Sequence, residues 1–75
     1  MPALPSLNAR KVVRTLKKAG FVEERQKGSH LVLVHPQTRA RTIVPIHGGK
    51  TVKKSLVYAI INDARLTVEE FTELL

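Results

Sequence analysis

Two short breaks divide residues 21–46 into three strand-like runs. Lys27-Gly28 is a turn signal, and Pro36-Gln37-Thr38-Arg39 is a four-residue loop of hairpin length. Parallel pairing needs a crossover of a dozen residues or more, so breaks this short leave only antiparallel pairing. The runs 21–26, 29–35 and 40–46 are therefore expected to form an antiparallel meander. Pro45 has no N–H for a ladder, which places the third run at a sheet edge.

A helical pattern flanks the meander on each side. Asn8 is placed to cap a helix over 8–19, in which Val12, Val13, Leu16 and Ala19 recur at helical spacing and Gly20 marks the stop. Arg10, Lys11, Arg14, Lys17 and Lys18 take its other face. After the glycine-rich loop His47-Gly48-Gly49-Lys50, Thr51 is placed to cap a second helix over 52–64, with Leu56, Val57, Ile60 and Ala64 as its apolar stripe. Thr67 with Glu70 is a capping-box pair for a last short helix, docked by Phe71 and Leu74. Neither main helix buries its stripe alone, so both are expected on one face of the sheet. The expected fold is α+β, of order α-β-β-β-α with a short C-terminal helix, in a single domain of residues 1–75.

Such a chain builds only a small core, burying roughly 60% of its unfolded surface. It has no cysteine, so neither a disulfide framework nor a cysteine-based zinc site supports it. Its apolar fraction of 43% is that of a folded domain rather than a disordered basic tail. No apolar run approaches the roughly 18 residues of a membrane span. Met1-Pro2-Ala3-Leu4-Pro5 lacks the basic and apolar regions of a secretory signal, so a cytoplasmic location is expected.

The charge is uneven. Residues 1–65 hold all 13 Lys and Arg with only Glu23, Glu24 and Asp63 as acids, a balance of +10. Residues 66–75 hold Glu69, Glu70 and Glu73 and no base. A small basic body points to a polyanion partner, most often nucleic acid. The second helix opens on Lys50, Lys53 and Lys54, cations at the positive end of a helix dipole. That is a small cost when nothing binds, and it becomes favourable when a phosphate sits there.

Three histidines are candidates for proton transfer at neutral pH. His30 and His35 lie five apart on one strand and so point to opposite faces. They cannot share a metal, and no carboxylate neighbours any histidine in sequence, so no metal site is expected. His35, beside Pro36, serves the turn; the role of His47 stays open. Leu31 and Leu33 go to the core, because an unpartnered imidazole is costly to bury. This leaves His30 exposed with Val32 and Val34 as surface neighbours, an apolar patch suited to docking.

Lys27-Gly28-Ser29-His30, then a hairpin, then Val44-Pro45-Ile46-His47-Gly48-Gly49-Lys50 and Val52-Lys53-Lys54-Ser55-Leu56, resembles HicA-type toxins (the YcfA-like group) of bacterial toxin–antitoxin pairs. The resemblance runs from Asn8 to about Phe71; Ser55 stands where the family often has glycine. It implies a double-stranded-RNA-binding-domain-like fold, cleavage of mRNA without a bound metal or other cofactor, and a HicB-type antitoxin that covers the site. The family's essential histidine falls on His30. As general base, His30 would take the proton of an RNA 2′-hydroxyl. Lys27, Lys50, Lys53 and Lys54 would hold phosphate, with Gly28 and Ser29 shaping the turn beside it. The antitoxin would meet Val32 and Val34. Lys27, His47 or water would serve as the general acid. Two other readings of the residues stay open: a non-catalytic RNA-binding module, and a basic protein that docks an acidic partner.

Overall fold

A computed structural model of the chain describes residues 4–46 and 50–75. The elements run β1 (Leu7–Asn8), α1 (Ala9–Lys18), β2 (Val22–Lys27), β3 (His30–Val34), β4 (Arg41–Pro45), β5 (Thr51–Val52), α2 (Lys54–Asp63) and α3 (Val68–Leu74). Strands β2, β3 and β4 form the expected antiparallel meander in that order, with Pro45 at the end of an edge strand. The fold is α+β and double-stranded-RNA-binding-domain-like, with α3 as the additional C-terminal helix. A second, two-residue ladder pairs Leu7 with Val52 and Asn8 with Thr51, tying the start of α1 to the approach to α2. None of the described helices is long and apolar enough to cross a membrane.

Strand alternation sorts the sheet's side chains. Leu31, Leu33, Thr42 and Val44 are buried under the helices; His30, Val34, Arg41, Ile43 and Pro45 take the other face. Val12 and Leu16 of α1, Val57, Ile60 and Ile61 of α2, and Phe71 of α3 meet those strand residues in one apolar cluster, joined by Leu4, Leu7 and Phe21. Each fully buried side chain of this size contributes roughly 1.5–3 kcal/mol before chain entropy is set against it. Thr42 is the buried polar residue of β4, and its Oγ1 donates to Asp63 Oδ2 at 3.3 Å, fastening the strand to the last turn of α2.

The helix ends follow local chemistry. Asn8 Oδ1 accepts from Lys11 N at 2.8 Å, capping α1. Thr67 and Glu70 form the capping box of α3 reciprocally, with bonds of 3.0 and 2.8 Å.

Three expectations are corrected. Thr51 does not cap α2: it is held in β5 opposite Asn8, so Lys53 is the N-cap, without a side-chain bond, and the helix begins at Lys54. Leu56 is 37% exposed, because α2 turns its Val57, Ile60, Ile61 and Ala64 stripe inward. Val32 lies on the open face but is only 6% exposed, since as the middle residue of the central strand it sits between Arg25 and Ile43.

Candidate functional site

The β2–β3 hairpin is closed by Lys27 and His30, its last Cα partners, through the two-residue loop Gly28-Ser29. Gly28 has φ +59, while Ser29 stays outside the positive-φ region. That combination is the type II′ turn, which calls for glycine at its first central position. Gln26 Nε2 donates to the Gly28 carbonyl at 3.2 Å and braces the turn. Lys27, Gly28, Ser29 and His30 are all exposed. The imidazole therefore stands on a short, conformationally fixed turn rather than on a long loop.

The two sequence motifs meet in space. His30 is the Cα partner of Pro45, and the backbone N–H of Ile46 donates to the Ser29 carbonyl. The Lys27–His30 turn thus lies against the start of the 45–50 segment. His47, Gly48 and Gly49 fall outside the described residues. Lys50 precedes Thr51 of β5, and Lys50, Lys53 and Lys54 are all exposed on the approach to α2 and in its first turn. The first turn of α2 contains no acid.

The acids of the basic body are engaged elsewhere. Glu23 pairs with Lys17, Glu24 pairs with Arg41 at 2.8 Å, and Asp63 accepts from Thr42. Glu24 is the extra residue where the ladder shifts register between Glu23 and Arg25. Among the described residues, Lys27, Lys50, Lys53 and Lys54 take part in no ion pair. The surface around the turn is therefore uncompensated positive charge, suited to phosphate.

His35 is used differently. Its Nδ1 accepts from the backbone N–H groups of Gln37 and Thr38, both at 3.2 Å. Its ring stands edge-on to Phe21, with centroids 5.3 Å apart and an interplanar angle of 84°. It serves the β3–β4 turn, as its place beside Pro36 implies, and faces away from His30. Among the described residues no three His, Cys, Asp or Glu side chains cluster as a metal site.

Sequence pattern missed three participants. Gln26 carries no motif, and its brace on Gly28 follows only from the turn geometry. Val22 and Ile43, 47% and 50% exposed, share the open face with Val34. For Val22 the signal was weak, because the bulge breaks the alternation of β2.

A family model described as the HicA toxin of bacterial toxin-antitoxin matches residues 9–66. The match spans α1, the whole meander, both motifs and α2. A comparison with curated proteins gives no match. With the Lys27–His30 turn joined to Pro45 and Ile46 inside the matched region, the chain belongs to the HicA family and is a toxin of a bacterial toxin–antitoxin system.

Proposed function

We propose that this toxin is a metal-independent endoribonuclease that cleaves mRNA in the cytoplasm, with His30 as general base. The supporting observation is the pinned hairpin turn: it holds an exposed imidazole beside Lys27 and opposite Pro45, with Ser29 bonded to Ile46, in a surface rich in uncompensated cations. RNA brings its own nucleophile. The imidazole removes the proton of a 2′-hydroxyl, and that oxygen attacks the adjacent phosphorus. The bond to the 5′-oxygen breaks, and that oxygen takes a proton from Lys27, His47 or water. The products are a 2′,3′-cyclic phosphate and a 5′-hydroxyl, and no cofactor enters the balance. A positioned base contributes roughly 10²–10⁴-fold. Lys27, Lys50, Lys53 and Lys54 stabilise the charge that develops on the phosphate, and Ser29 orients it.

The system is of type II, with a HicB-type protein as antitoxin. It covers the open sheet face, where Val34 is flanked by the exposed Val22 and Ile43, and thereby shuts off His30 on the same face. Val32 contributes the floor of that contact.

The test is incubation of the purified chain with RNA in the presence of a chelator, followed by identification of the new ends. Cyclic phosphate and 5′-hydroxyl termini are expected. RNA bound but left whole would instead identify a non-catalytic RNA-binding module.

A further inference from the structure

A groove of about 660 Å³ runs between α1 and the edge strand β2. Val13, Leu31 and Ile46 give it an apolar floor, and Arg10 and Arg14 stand on its rim with Gln26. Glu23, the acid in the groove, is already neutralised by Lys17. The volume is that of a small-molecule site, roughly 300–1,000 Å³, and such sites combine apolar walls with a few fixed polar groups. The groove reaches the backbone of the turn that carries His30: Gln26 bonds to Gly28 and Ile46 bonds to Ser29, while the imidazole itself takes the other face of the sheet, around the end of the hairpin.

From this juxtaposition we infer that the α1–β2 groove is a nucleobase subsite that receives a base of the RNA strand next to the scissile phosphate and sets the sequence preference of cleavage. Val13 and Ile46, both half-buried, offer the base an apolar bed over the buried Leu31. The Gln26 amide reads its edge, since a planar amide both donates and accepts. Arg10 and Arg14 hold the phosphates on either side of that nucleotide. An extended single strand suits this layout, because its unstacked bases are free to enter a pocket while its backbone tracks the cationic rim. The inference rests on the ribonuclease reading for its consequence, and on the groove alone for binding.

The experiment titrates the intact chain with a short 2′-O-methyl RNA strand, which lacks a nucleophilic hydroxyl, and follows methyl and side-chain amide signals by NMR. The methyls of Val13, Leu31 and Ile46 and the Gln26 amide should move together and saturate. An abasic strand with the same phosphates should bind roughly tenfold more weakly, the scale of one base contact, and leave those methyls still. Gln26→Ala should flatten the discrimination among the four bases at one position. Methyls that stay still, that respond equally to the abasic strand, or that move only on adding the antitoxin would overturn the inference. If they respond to bases while unmodified RNA is never cut, the subsite stands and the ribonuclease reading falls. If RNA is cut and the methyls are silent, the reverse holds.

Discussion

Lys27 and His30 face each other as the closing pair of the β2–β3 hairpin, three positions apart along the chain and direct neighbours across the ladder. Only the φ +59 of Gly28 lets the chain reverse in two residues between them. The spacing of this motif is therefore a backbone requirement.

Gly28→Ala is expected to lower stability by about 1 kcal/mol, the strain of a positive φ with a side chain. No atom lies within 4 Å of the added Cβ, so the cost is conformational and not steric. Gly28→Asn should be milder, because asparagine accepts the positive φ of such turns more readily than alanine does. Urea unfolding midpoints of the two variants give the comparison. Equal losses for both would show that the turn is not held in that region.

Gly20→Ala should cost more, about 2–3 kcal/mol, because strain and collision add. Gly20 has φ +102, and a Cβ there would sit 2.7 Å from His35 Nε2. The ring has little room to yield, being packed on Phe21 and bonded to Gln37 and Thr38. In a double-mutant cycle with His35→Ala, the two losses should sum to more than the double variant shows. Additive losses would mean that the ring moves aside freely.

Much of this was legible beforehand, for identifiable reasons. The meander followed from two short breaks, and the inward turn of Leu31 and Leu33 from the cost of burying His30. The capping box of α3 was written in Thr67 and Glu70. The β1–β5 ladder was not legible, since two-residue strands have no period; its existence also displaced the N-cap of α2 from Thr51 to Lys53. Burial of Val32 depends on cross-strand neighbours that only the register supplies. Of the candidate site, the turn residues were readable as a motif, whereas their bond to Ile46 is a tertiary fact.

Replacing Lys53 and Lys54 with alanine is expected to weaken RNA binding and flatten its dependence on salt. Each lost phosphate contact should remove roughly 0.7 from the slope for a single strand. Binding measured across a salt series supplies the slope. An unchanged value would assign these lysines to solubility alone.

Val34→Asp should weaken antitoxin binding more than Lys17→Ala. Val34 lies beside the exposed Val22 and Ile43, with Arg41 opposite it on β4, so a carboxylate there would replace apolar contact on docking, whereas Lys17 is on α1 and paired with Glu23. Apolar burial supplies ~25 cal/mol per Å², while charge complementarity mainly speeds encounter. The comparison is the affinity of each folded variant for the purified antitoxin. Normal binding by Val34→Asp would place the inhibitor elsewhere.

The most direct measurement compares RNA cleavage by the intact chain, His30→Ala and His35→Asn, each checked for folding by circular dichroism. His30 is exposed, so its loss should change stability by no more than ~0.5 kcal/mol. Asparagine at position 35 keeps an acceptor for the turn. Cleavage should vanish in His30→Ala and persist in His35→Asn. Cleavage retained by folded His30→Ala, or lost only in His35→Asn, would contradict the assignment of His30 as the general base.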